Sequence, residues 1–165
     1  MRDLMKLPKI GSASAVAGLL LSTACAAPSA ASDAPSNATA SATLSPNAQI
    51  VSEFYRQAFV EGNVAGASDK YIGDPYLQHN PGVADGKAAF VDAISKLQTA
   101  TGARSRVGQI IDGGDTIAVH SESTAGRSRA AVVDIFRVKN GKIVEHWDVI
   151  QEIPGETVSG RPMVP

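Results

Sequence analysis

The chain has a single cysteine, Cys25, so it forms no intramolecular disulfide. It has no basic stripe or run, and its 15 Lys and Arg are balanced by 16 Asp and Glu. Nucleic acid is therefore not an expected partner. It also lacks an apolar run fit to span a bilayer. The one candidate, Ile10 to Ala24, is short and rich in Gly, Ser and Ala. No internal repeat is evident. Large apolar residues are almost missing from Ala26 to Pro46, which is mostly Ala and Ser with Pro and Thr. Such a segment has too little to bury and is read as a disordered tether.

What is present begins with a leader. Arg2, Lys6 and Lys9 precede the apolar stretch, which contains Leu19-Leu20-Leu21. A charged start before a short hydrophobic middle is the pattern of a secretory signal. Cys25 follows Leu21-Ser22-Thr23-Ala24, which resembles a bacterial lipobox with Ser22 where Leu is usual. The alternative is plain cleavage after Ala26. The expected organisation is a signal over 1–25 with lipidation at Cys25, a tether over 26–46, one domain over 47–152 and a tail over 153–165. The protein is expected to leave a bacterial cytoplasm and to be periplasmic or a membrane-anchored lipoprotein. It would touch the membrane only through the lipid.

In the domain, Ser45 and Pro46 open a helix in which Ile50, Val51, Phe54, Tyr55, Ala58 and Phe59 recur at helical spacing, up to Gly62-Asn63. A short second helix covers Val64 to Lys70. Asp85 is placed to cap a third, Gly86 to Thr99, closed by Gly102. Strand signals follow. Arg104 to Asp112 and Asp115 to Ser123 flank Gly113-Gly114, and Arg129 to Val138 and Lys142 to Gln151 flank Asn140-Gly141. A short extended piece, Pro75 to His79, lies between the second and third helices. The layout is α+β, with helices on one face of a four-stranded antiparallel meander.

Asn140-Gly141 as a two-residue loop pairs Lys139 with Lys142. Continued without interruption, that register sets Asp134 opposite Trp147, Phe136 opposite Glu145 and Val132 opposite Val149. His146 and Asp148 then fall on the other face with Val133 and Ile135. Their spacing could ligate a metal, but no third ligand accompanies them, and no metal is expected. His120 lies on a face with Thr116 and Ala118. If the following loop brings it near Asp134, the two share a side. Both faces of the last hairpin are largely apolar and the helices cover one, so a homodimer through the outer face is expected.

The run Asp134-Ile135-Phe136-Arg137-Val138 and Gly141-Lys142-Ile143-Val144-Glu145-His146-Trp147-Asp148, behind N-terminal helices, resembles the SnoaL-like polyketide cyclases. These belong to the nuclear-transport-factor-2-like superfamily. Leu77-Gln78-His79-Asn80-Pro81 followed by Asp85-Gly86 is similar to the branch associated with aldol condensation. The resemblance implies a cone-shaped α+β fold with helices packed on a curved, mainly antiparallel sheet. It implies a catalytic pair falling on Asp134 and His120, and a pocket-mouth motif falling on His79 and Asn80. Tyr55, Phe136 and Trp147 are expected to line the ligand site. A carboxylate buried beside Trp147 and Phe136 is expected to titrate high, within reach of acid/base work on a carbonyl compound. No cofactor is expected, and the partner is a small hydrophobic molecule. The same fold hosts non-catalytic proteins, so a ligand-binding or envelope interaction module is the alternative.

Overall fold

The computed structural model describes residues 43–165. The expected leader over 1–25, Cys25 and the tether as far as residue 42 lie outside the described residues.

Helix α1 spans Pro46–Tyr55. Ser45 caps it, its Oγ accepting from the Ala48 N–H at 3.2 Å, and Pro46 sits in the first turn, where no N–H is needed. The helix does not run on as one α-helix. Arg56–Val60 form a π-helical turn, in which the Glu61 N–H reaches the Arg56 carbonyl. Tyr55 stands at this junction, its ring centroid 4.6 Å from that of Phe59. Asn63 caps α2 (Val64–Tyr71) by accepting from the Gly66 N–H. Helix α3 (Lys87–Thr101) ends at Gly102, whose φ of 68° is left-handed. Asp85 does not cap α3 as expected. Gly86 holds that position, and Asp85 Oδ1 accepts from the Gln78 N–H at 2.7 Å.

The sheet contains β1 (Ile72–Gln78), β2 (Arg104–Gly113), β3 (Thr116–Ala125), β4 (Ser128–Lys139) and β5 (Lys142–Glu152) in the order β1-β5-β4-β3-β2. Strands β2 to β5 form the antiparallel meander. The short extended piece is a full fifth strand, β1, which runs parallel to β5 and makes the sheet mixed. Three helices and this open sheet compose an α+β fold.

Asn140 and Gly141 have φ of 51° and 73°, the pair of positive angles that a type I′ turn needs. Lys139 pairs with Lys142 and Val138 with Ile143. Beyond that point the uninterrupted register is wrong. Arg137 pairs with Glu145, which leaves Val144 as an extra residue, a β-bulge in β5. Everything past it turns to the opposite face. Asp134 pairs with Asp148 instead of Trp147, and Phe136 with His146 instead of Glu145. The cause is physical. Without the bulge, Glu145 would share the helix-covered face with the fully buried Phe136, where a carboxylate is costly. With it, Glu145 lies on the outer face, where Arg137 Nε donates to it at 2.8 Å.

The β3–β4 connection is tight, with Ala125 paired to Ser128 around Gly126-Arg127. Its parity sets Val119, not His120, against Asp134. His120 pairs with Val133 and points to the outer face.

The inner face carries Ile117, Val119, Ser121, Val132, Asp134, Phe136 and His146, all buried. The rings of Phe59, Tyr71, Phe90 and Phe136 surround Phe54 at centroid distances between 5.6 and 6.4 Å. The tail is anchored: Val164 is buried over Gly108, where an added Cβ would lie 2.6 Å from Val164 Cγ1, and Arg106 donates to the Pro165 carbonyl. Because Phe54 organises the aromatic cluster, Phe54→Ala should lower the unfolding free energy by about 3–5 kcal/mol in a urea titration. A loss below about 1 kcal/mol would show that the core is centred elsewhere.

Candidate active site

Asp134 is 5% exposed on the inner face of β4. Its Oδ2 accepts from the Tyr55 hydroxyl at 2.7 Å, and its Oδ1 lies 3.0 Å from His146 Nε2. Tyr55 has one proton and gives it to Asp134, so Ser121 Oγ, 2.8 Å away, donates to Tyr55. Burial, and then the Asp134 charge, push the Tyr55 hydroxyl far above its ordinary range. Tyr55 is therefore a neutral donor at every working pH.

His146 is equally buried, its ring 4.9 Å from that of Phe136. Strand pairing sets Gln78 beside it, and Gln78 Oε1 lies 2.8 Å from His146 Nδ1. The same oxygen accepts from the Asn80 N–H at 2.9 Å, which identifies it as the carbonyl end of the amide. His146 Nδ1 must therefore carry a proton, and Nε2 faces Asp134. Two acceptors 3.0 Å apart require a proton between them. Asp134 and His146 are thus joined directly by a buried hydrogen bond.

The cross-strand neighbour of Asp134 is a second carboxylate, Asp148. Like charges placed opposite one another repel, and each carboxylate has its own donor. Asn80 Nδ2 donates to Asp148 Oδ2 at 2.6 Å, while Asn80 Oδ1 accepts from the Gly82 N–H at 2.8 Å, which orients that amide. One hydrogen-bonded chain therefore runs from Gly82 through Asn80, Gln78, His146, Asp134 and Tyr55 to Ser121.

This chain closes one end of a cavity of about 270 Å³. Phe59, Phe90, Ile94, Leu97, Val132 and Ile150 supply apolar wall, and Tyr55, Gln78, Asn80, Asp134, His146 and Asp148 supply the polar end. An apolar hollow with a few converging polar groups is the usual form of a small-molecule site. Donor atoms of Asp134, His146 and Asp148 lie within 4.8 Å of one another, close enough to hold a divalent cation. His146 Nδ1 is held by a carbonyl, as metal-binding imidazoles often are. In this arrangement, however, Nε2 is engaged by Asp134, and Asp148 by Asn80.

The expected residues divide between the two faces. Asp134, Tyr55 and Asn80 come together at the cavity. Phe136 is fully buried behind His146. His120, expected beside Asp134, is on the outer face because of the tight β3–β4 turn. Trp147, expected on the Asp134 face, is turned outward by the bulge. His79 goes with it, stacking on Trp147 at 4.7 Å and lying 3.0 Å from Glu145. Arg137 and then His79 hold the Glu145 carboxyl below its ordinary range. The residues that the linear reading missed are His146, Asp148 and Gln78. The available signal was charge pairing: shifting the register by one residue sets Arg137 against Glu145.

The SnoaL-like domain family matches residues 51–146 of this chain. Among solved structures, a candidate polyketide cyclase from Acidithiobacillus ferrooxidans is 20% identical, with a TM-score of 0.56 over 64% of this chain and 88% of its own. A candidate ketosteroid isomerase from Kribbella flavida is 14% identical, with a TM-score of 0.58 over 73% and 90%. A nuclear-transport-factor-2-like protein of unknown function from Cytophaga hutchinsonii is 13% identical, with a TM-score of 0.55 over 66% and 92%. At these identities, what is shared is the fold. No curated protein matches the sequence. The domain match and the helix-covered open sheet agree: the chain belongs to the SnoaL-like family, with the cone-shaped nuclear-transport-factor-2-like fold.

Proposed function

We propose that this domain is a cofactor-independent acid/base enzyme acting on a small hydrophobic carbonyl compound, of aldol, cyclase or isomerase type. The observation that carries the reading is the buried Asp134–His146 pair at the polar end of an apolar cavity. Asp134 removes a proton from carbon next to the carbonyl. The pair then returns it to another atom of the substrate, so the enzyme ends each cycle unchanged. Gln78 holds the imidazole through Nδ1, and Tyr55 steadies the carboxylate through a proton that it does not lose. The apolar wall and the burial of the pair strengthen these interactions. Asp134→Asn should reduce turnover of carbonyl probes by about 10²- to 10⁴-fold while ligand-induced thermal shift persists. Unchanged turnover in that variant would rule out Asp134 as the acid/base group.

A second reading is a non-catalytic ligand-binding domain. It is favoured by the engagement of both Asp134 oxygens and both His146 ring nitrogens within the protein, as in a structural network. Failure of wild type and variant alike to turn over any carbonyl probe would select it.

Two expectations about context are part of the proposal. Ile111 and Val149 are 53% and 65% exposed on the outer sheet face, beside Ile135 and Trp147, and this face is proposed to join two copies. Val149→Glu should convert a dimer to a monomer in solution sizing at micromolar concentration; a monomeric wild type would remove the idea. The leader and Cys25 are proposed to export and lipidate the protein. The mass of the membrane-extracted chain should then begin at an acylated Cys25, and an unmodified N-terminus would refute lipidation.

A further inference from the structure

The hydrogen-bond chain at the cavity leaves two kinds of atom unused, and they are chemically opposite. Gln78 is locked through Oε1 by two donors, Asn80 N–H and His146 Nδ1. Its Nε2 is therefore fixed as a donor with two hydrogens, and the Gln78 side chain lines the cavity. The neighbouring Tyr76 hydroxyl faces the Gln78 side chain and is not part of the cavity lining. Tyr76 is 2% exposed, and its Oη is the buried side-chain polar atom without a partner among the described residues. A fixed amide donor on the cavity wall calls for an acceptor oxygen. Across the polar end, Asp148 is engaged only through Oδ2, by Asn80, so Oδ1 remains an unused charged acceptor. That oxygen calls for a donor.

Charge narrows the choice. The polar end holds two carboxylates, Asp134 and Asp148, with one imidazole. The remaining cationic residue of the lining, Arg104, bonds the Ala103 carbonyl through Nη1 and lies against Gly62. Nothing at this end would neutralise a ligand carboxylate.

We infer that the site takes a neutral hydroxy-carbonyl compound, with the carbonyl oxygen on Gln78 Nε2 and the hydroxyl donating to Asp148 Oδ1. This deepens the proposed acid/base function and rests on its reading of the cavity as the ligand site. Asp148 and Gln78 become the residues that determine specificity. Asp134 and His146, the latter in contact with Gln78 and both within 4.8 Å of Asp148, act on the carbon that joins the two groups. A ketone without the hydroxyl leaves a charged acceptor unmatched, and a hydroxy acid brings a third negative charge.

Three probes on one skeleton test this by calorimetry on the full chain in the presence of EDTA: 4-hydroxy-4-phenylbutan-2-one, 4-phenylbutan-2-one and 3-hydroxy-3-phenylpropanoate. The wild type should bind the hydroxyketone at least about tenfold more tightly than either of the others, the scale of one hydrogen bond to a charged group. Asp148→Asn keeps an oxygen for Asn80 and should bring the two ketones within about threefold of each other. Gln78→Glu keeps the oxygen that holds His146 and should weaken both ketones alike by about tenfold. Equal binding of the three probes, a preference that survives Asp148→Asn or vanishes in EDTA, or no binding at millimolar concentration would overturn the inference. The two proposals fail separately. A hydroxyketone preference without turnover removes catalysis and leaves the ligand class. Asp134-dependent turnover without the preference does the reverse.

Discussion

One extra residue in one strand decides the chemistry of this domain. Val144 lies unpaired between Ile143 and Glu145, and the bulge rotates the rest of β5 by half a pleat. His146 and Asp148 turn inward to meet Asp134, while Glu145 and Trp147 turn outward to meet Arg137 and His79. Without it, the same residues would make a carboxylate buried against Phe136 and an imidazole on the outer face. Two electrostatic conditions are met by the one irregularity: Glu145 gains a cation, and Asp134 gains a hydrogen-bonded partner.

The inward set is stable because it is directional. Two carboxylates facing each other across adjacent strands would repel in a low-dielectric interior. Here each has separate donors, Tyr55 and His146 for Asp134 and Asn80 for Asp148; the Gly82 N–H orients the Asn80 amide, and the Asn80 N–H fixes the Gln78 oxygen that holds His146. Strand β1 matters for this reason. Its parallel pairing with β5 brings Gln78 level with His146, and Asp85 pins the Gln78 amide instead of capping α3. The helices complete the site from the other side, since Tyr55 reaches Asp134 from the point where α1 becomes a π-helical turn.

The two sheet faces thus divide the labour. The buried polar chain lies on the helix-covered face, against a largely apolar cavity. The outer face is apolar along Ile111, Ile135 and Val149, with the Arg137–Trp147–His79 cluster at one end. The anchored tail, with Val164 seated on Gly108, closes part of the β2 edge.

Much of this architecture was legible in the linear chain because it depends on local rules. Ser45-Pro46 begins a helix and Gly102 ends one whatever surrounds them, and Asn140-Gly141 makes a tight turn because both residues accept positive φ. The α+β layout follows from patterns readable along the sequence, and Asp134, Tyr55 and Asn80, three of the residues expected at the ligand site, do lie together at the cavity. The partner of Asp134 does not follow from such patterns. A strand places side chains on alternate faces, so a single bulge or a one-residue change in a turn exchanges the faces without altering composition or periodicity. Which of His79, His120 and His146 meets Asp134 was settled only where non-local terms compete: the cost of burying Glu145, its attraction to Arg137, and the tight Gly126-Arg127 turn that sends His120 outward.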